Sequence, residues 1–395
     1  MKKILFIALA AFALVSCAKE NTTPVNEEGT TVMLTVVDPN ALESRAVGPT
    51  VADGTTIKVT SGRLYFVDGN SITKSYTLSH GGGTSTTNFD LSVTAQQALS
   101  DVPGNSKTVY IIGNIPTGIT PPGVNGNIST FLATLATINS QQGGTDLVNN
   151  VSVYGTSTLT SGGPNTLQAT VNVAPIDARI ELHKFSIRAG SLITTYRVDG
   201  IFINNYYTQS RLDGKRGGDG TTLPYAYYLA DNGTEVNGQS PLKYGHASST
   251  EYPTADNGLY FDYSATGIGT VGGSAPYSYT PITLAHAWGY NVFAPTDNPA
   301  GTFPHIVIRF SGFNASANIA DPIQYITVTG FMKETTPGSG TFDMPVELTA
   351  GEIYKIRDFV FDETDLEVAP EIKSVTANVT VSLATWKEVN VQPVH

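Results

Sequence analysis

The sequence predicts an all-β protein, two tandem β-sandwich domains with a few short helices, on three observations. Short runs rich in Val, Ile, Tyr, Phe and Thr recur along the chain, and clusters of Gly, Asn, Asp and Ser separate them. That composition and punctuation mark strands joined by turns. Helix-period stretches are few. The chain has 395 residues with 39 Gly and 22 Pro, a length that suggests about two domains and a turn content that favours sandwiches.

Taken in order, the stretch 31–37 alternates, with Val32, Leu34 and Val36 on one face, as a half-buried strand requires. Strand composition returns at 63–67, 109–112, 167–173, 179–187, 201–203, 305–310 and 325–332. The spacing of Phe131, Leu132, Leu135 and Ile138 predicts a helix, and 91–99 predicts a second. Pro175 interrupts two strand-like runs at 174–177, where a sheet tolerates it poorly. The expected division is therefore a leader over 1–17, a segment over 18–45 holding the first strand, a domain over 46–173 and a domain over 174–395. Gly/Ser/Thr/Asn-rich stretches at 79–87, 213–222 and 265–278 read as elaborated loops. No internal repeat or coiled coil is visible in the sequence.

The C-terminal stretch is the cleanest amphipathic strand of the chain. Val375, Ala377, Val379, Val381 and Leu383 fall on one face, and Thr376, Asn378, Thr380 and Ser382 on the other. The pattern continues through Trp386, Val389 and Val391.

The N-terminus reads as an export signal. Met1, Lys2 and Lys3 precede the apolar run 4–15, which ends at Leu14-Val15-Ser16-Cys17. Its length fits the roughly 7–15 apolar residues of a secretory signal and falls short of the ~20 a spanning helix needs. A small residue before Cys17 lets a signal peptidase cut there and leave an acylated cysteine, so an exported protein anchored by lipid at Cys17 is expected. The following Ala18-Lys19-Glu20 is either a plain tether or a tag resembling the short charged ones that route lipoproteins to the surface in Bacteroidetes-type bacteria. Cys17 is the single cysteine, so no intramolecular disulfide can form. A net charge of -11 argues against nucleic acid, whose phosphates call for a basic face.

Several strings, in their order and spacing, resemble a known family. Ala178-Arg179-Ile180-Glu181-Leu182 and Gly200-Ile201-Phe202-Ile203-Asn204-Asn205-Tyr206-Tyr207 are similar to the second domain of the fimbrillins, the type V pilins of Bacteroidales-like bacteria, the minor-fimbrium type most of all. Tyr290-Asn291-Val292-Phe293-Ala294-Pro295, Pro304-His305-Ile306-Val307-Ile308-Arg309, Gly351-Glu352-Ile353-Tyr354-Lys355-Ile356 and Trp386-Lys387-Glu388-Val389-Asn390-Val391 extend the likeness. The resemblance implies two transthyretin-like sandwiches and a distinctive assembly route. The lipoprotein precursor would be cut by an Arg-specific protease between Arg45 and Ala46, removing the lipid and the strand of Val32, Leu34 and Val36. A neighbouring fimbrial subunit's C-terminal strand would fill the vacated groove.

The residues support that route on their own terms. Arg45 lies between Pro39 and Pro49, beside Gly48, in a stretch with few large apolar residues, the kind of loop where proteolysis concentrates. A vacated slot exposes sheet edges that template pairing with another chain, and an alternating apolar strand is a fitting addition. Donating at one end and accepting at the other is a heterologous contact that grows a filament unless it closes.

Enzyme chemistry finds little footing. The six histidines show no H-E-x-x-H spacing. His80-Gly81-Gly82-Gly83 lacks the G-x-S-x-G partner of an esterase and reads as a flexible loop. Asp213-Gly214 and Asp219-Gly220 are not followed by a calcium-loop ligand series. No cofactor is expected. The functional expectation is a stalk pilin, with a tip or accessory adhesin as the alternative within that family. From another class stands a non-polymerising surface lipoprotein binding glycan or host protein, through Tyr206, Tyr207, Tyr225, Tyr227 and Tyr228.

Overall fold

The computed structural model describes residues 30–37, 59–93, 95–141, 151–204, 206–207, 209–217, 225–226, 260–261, 282–297, 304–334, 341–368 and 374–383. The first unit begins with strands β1 (Thr30–Val37), β2 (Gly62–Asp68), β3 (Ser71–Ser79), β4 (Asn88–Asp90), β5 (Gln97–Val102) and β6 (Thr108–Gly113). Helix α1 (Ile128–Leu132), strand β7 (Leu135–Thr137) and helix α2 (Ile138–Gln141) follow. It ends with β8 (Val153–Thr158), β9 (Thr160–Gly163), β10 (Thr166–Asn172) and β11 (Ala174–Pro175).

Two sheets form from these strands, ordered β5-β1-β10-β9 and β11-β8-β6-β2-β3-β4. Their facing sides share one apolar core, to which β1 gives Val32 and Leu34, β5 Leu99, β10 Val171, and β2 Leu64 and Phe66. Strand β2 is buried from Leu64 to Val67, a continuous apolar run because both of its faces are covered. Tyr65 and Val67 point away from the sandwich core and join α1, α2 and the second unit in another cluster.

The second unit opens with β12 (Asp177–Ile187), β13 (Arg197–Asn204), β14 (Tyr206–Tyr207), β15 (Gln209–Arg211), β16 (Tyr225–Ala226) and β17 (Tyr260–Phe261). It continues with β18 (Ile282–Phe293), β19 (His305–Ser311), β20 (Gln324–Glu334) and β21 (Phe342–Pro345). It closes with β22 (Glu352–Ile356), β23 (Phe359–Phe361) and β24 (Ser374–Leu383). The main path runs β17-β13-β19-β20-β24-β22-β12-β18. β24 makes it continuous: residues 374–379 pair parallel with β20, and 380–383 pair antiparallel with β22. One strand thus passes from one sheet of a sandwich to the other.

The two units repeat one topology that the sequence does not display. β1 runs parallel to β10 and antiparallel to β5, as β12 runs parallel to β22 and antiparallel to β18. In the opposing sheets, β8-β6-β2-β3 is matched by β20-β19-β13-β17, antiparallel at every step. The remaining strands of the first unit, and β21 and β23, are short. Among the described residues, the ten-residue β24 is the long strand with no counterpart.

The chain changes sheets at the proline noted in the sequence. Ala174 and Pro175 still pair with β8, while Asp177 already opens β12. The units are joined along a wide face. β7 pairs with β15, and Asn291 Nδ2 donates to the Gln141 carbonyl at 2.7 Å. Gln141 in turn accepts from the Ser152 backbone N–H at 2.8 Å, and Ser152 Oγ donates to the Asn114 carbonyl at 2.9 Å.

Two helix expectations fail. The run through Phe131, Leu132, Leu135 and Ile138 is one capped turn, a three-residue strand and a second short turn. Asn127 caps α1 by accepting from the Thr130 N–H at 3.1 Å, but pairing of β7 with β15 takes over at Leu135. A short segment has little helix stability of its own to oppose that. Of the stretch 91–99, residues 91–92 form a turn and 97–99 open β5, whose Leu99 registers with Val32 of β1.

Candidate functional site: the first strand, its slot and the last strand

β1 is an interior strand. Val32 registers with Leu167 on β10 and Leu99 on β5, and Leu34 with Ala169 and Gln97. Both side chains are fully buried, and Val36 packs partly buried against the same core. The full burials of Val32 and Leu34 each contribute roughly 1.5–3 kcal/mol. If β1 left, β5 and β10 would stand two strand spacings apart, about 10 Å, each with an unpaired backbone edge. The slot would be apolar, floored by Leu64, Phe66 and Ile111 of the opposing sheet. It would offer an antiparallel partner on one side and a parallel one on the other.

Glycine permits two close approaches beside β1 and β10. A Cβ on Gly155 of β8 would lie 2.4 Å from the Asn172 carbonyl oxygen, and one on Gly104 would lie 2.6 Å from Thr30 Oγ1 at the start of β1. At the rim, Asp101 of β5 bonds Lys74 and the hydroxyl of Tyr76. Burial raises the Tyr76 hydroxyl pKa, and the bond to Asp101 raises it further. Burial also works against the Asp101 carboxylate, but the bonds from Lys74 and Tyr76 outweigh it and hold its pKa below the ordinary value.

Cys17, Arg45 and Ala46 lie outside the described residues, as do Trp386, Val389 and Val391. The remaining C-terminal site residues are located, and not as a free arm. Ala377 and Val379 are buried in the second unit's own core, with Val375 packed against it. Val381 registers with Tyr354 and Leu383 with Glu352. The alternation seen in the sequence is thus used within the same chain. To pair elsewhere, β24 must first leave β20 and β22.

Other expected features fall differently. Tyr206 and Tyr207 are core residues, 4% and 3% exposed, so they offer no contact surface. Tyr227 and Tyr228 lie outside the described residues. Asp213 is bonded to Arg211 at 2.8 and 3.1 Å, and Asp219 lies outside the described residues. Among the described residues, no group of three or more His, Cys, Asp and Glu is placed to hold a metal.

The His80–Gly83 loop is tied down rather than free. Asp90 accepts from the backbone N–H of Gly81 at 2.9 Å and Gly83 at 2.8 Å, and from the Ser92 N–H and hydroxyl at 2.9 and 2.6 Å. Burial alone would raise its pKa, but these bonds outweigh it and hold the carboxyl at about 2.

No family model matches the sequence, and no curated protein matches it. Solved structures do. The fimbrilin FimA of Porphyromonas gingivalis W83 superposes with a TM-score of 0.52 at 13% identity, covering 91% of this chain and 99% of that one. A candidate cell adhesion protein of Parabacteroides distasonis ATCC 8503 superposes with a TM-score of 0.53 at 13% identity, covering 93% and 99%. The chain shares the fold of Bacteroidales fimbrial proteins.

At this identity the likeness is one of fold, and it spans both units. The slot walls Leu99, Ala169 and Val171 and the side chain of Ile353 were not singled out from the sequence. Leu99 was hidden by the helical reading of 91–99. Ile353 sits in a strand of the second unit yet belongs to the first unit's core, a placement no local pattern encodes.

Proposed function

We propose that this protein is a structural subunit of a surface fimbrium, exported as an outer-membrane lipoprotein and polymerised by strand exchange. The observation that carries the reading is β1, an interior strand with two fully buried apolar residues that is followed in sequence by Arg45. An Arg-specific protease cutting between Arg45 and Ala46 severs that strand from everything after it. The lipid at Cys17 goes with the removed piece, so the same cut releases the subunit from the membrane and opens the slot.

The donor is the C-terminal segment of a neighbouring fimbrial subunit. Val375, Ala377, Val379, Val381 and Leu383 carry the required alternation, and Trp386, Val389 and Val391 extend it. Topology supports this choice, because β24 is the long strand that the second unit has in addition to the plan it shares with the first. Among the described residues, the first unit follows that plan without such a strand. Having both a slot and a donor makes this a stalk subunit rather than a tip. The alternative of a surface lipoprotein with a tyrosine-lined contact site loses two of its residues to the core.

The test is Arg45→Ala in the producing cell. It should leave an acylated precursor on the membrane that accepts no neighbour, while the unaltered chain forms head-to-tail polymers. Polymers of normal length from Arg45→Ala would remove the proposal.

A further inference from the structure

β22 presents its two faces to two different cores. Tyr354 and Ile356 are buried in the second unit's cluster, whereas Ile353 is buried in the first unit's cluster, the one that holds Val32 and Leu34 of β1. Through its backbone the same strand pairs with β24, Ile353 opposite Ser382 and Tyr354 opposite Val381. The approach to β22 is fixed by the Gly351 N–H, which donates to the Asp177 carbonyl at 2.8 Å. A five-residue strand therefore reaches the core around β1 with a side chain and the last strand with its hydrogen-bond ladder.

We propose that β22 couples the two strands: a filled β1 slot steadies the pairing of β22 with β24, and an empty slot loosens it. The inference rests on the strand-exchange reading and adds its regulation, since a subunit then offers its last strand only after its own first strand has gone. The physical basis is close packing. Removing Val32 and Leu34 takes partners from a cluster that relaxes only in part. Ile353 loses part of its seat, and because β12 still pairs with the other edge of β22 and Tyr354 and Ile356 stay buried, the shift is taken up along the ladder with β24. Linkage makes the effect reciprocal, so a paired β24 would in turn steady whichever strand fills the slot.

The test is amide hydrogen exchange on the full chain as a dilute monomer, comparing the unaltered protein with Leu34→Ala, Ile353→Ala and the double variant. Exchange across 374–383 should rise about tenfold in either single variant, as for a locally opened unit. The double variant should be no faster than the faster single one. Amides of β13 and β19 should keep their rates, which separates coupling from general loss of stability. The inference is overturned if Leu34→Ala speeds exchange only in β5 and β10 and leaves 374–383 unchanged. Should Leu34→Ala fail to fold, Leu34→Val carries the same comparison with a smaller effect. Because the readout is monomeric, it survives a failure of polymerisation. Polymers formed by a chain whose β24 ignores Leu34 would sink the coupling alone.

Discussion

Leu34 shows how far a single residue can be read. Its alternation with Val32 and Val36 marks it as inward-facing, and it is fully buried between β5 and β10. Leu34→Ala should cost about 2–5 kcal/mol, measured as a fall in the urea midpoint of the first unit. Arg179 and Glu181 were less legible. They alternate with Ala178, Ile180 and Leu182 along β12, the local pattern of a half-buried strand, yet they are buried and form a 2.7 Å ion pair. The reason is tertiary. Their face is shared with Ile353 and Asn291, which reach into the first unit's core and to Gln141. Glu181→Ala should therefore destabilise by about 3–5 kcal/mol, because it removes the carboxylate paired with a buried guanidinium. Equilibrium unfolding of the variant measures it. Asp90 gives a pH signature. Its carboxyl titrates at about 2 in the folded chain against an ordinary ~3.9. The stability it contributes is full above that ordinary value and is lost as pH falls through about 2. Exchange of the Gly81 and Gly83 amides should accelerate between roughly pH 4 and 2 relative to a reference loop, and Asp90→Asn should abolish the pH dependence.

At the scale of elements, most strands were visible because alternation and β-branched composition are local properties. Those at 63–67, 109–112, 167–173 and 305–310 appear within a residue or two of their expected bounds. Partners are not local, and that is where the reading of 375–383 stopped. The strand exists, but its first half pairs with β20 and its second with β22. A charge at Val379 would thus act on the subunit's own core before it acted on assembly. Val379→Asp should lower the stability of the second unit by several kcal/mol, seen as a lowered thermal midpoint in the monomer. The helical spacing at 131–138 failed for the complementary reason. Leu135 and Ala136 are claimed by a strand pairing with residues seventy-odd positions away, Arg211 and Ser210, which no window of local periodicity contains.

The whole molecule is a repeat without a sequence repeat. Seven strands of each unit follow one order and one set of directions, because a sandwich core accepts any apolar side chain of suitable volume and demands only the pattern. The two units are held by a polar chain through Asn291, Gln141, Ser152 and Asn114 together with the pairing of β7 and β15. That fixed relation suits a subunit whose slot lies in one unit and whose last strand lies in the other, since the step between neighbours is then constant. Truncation after Thr385 should leave both units folded by circular dichroism and thermal melting, while the cut protein no longer grows chains. If the chain exchanges its first strand for a neighbour's last, intact-mass and N-terminal analysis of the polymeric form purified from the cell surface will find subunits that begin at Ala46 and have lost both the lipid and residues 1–45. Polymers whose subunits still carry acylated Cys17 and an uncut β1 would contradict that exchange.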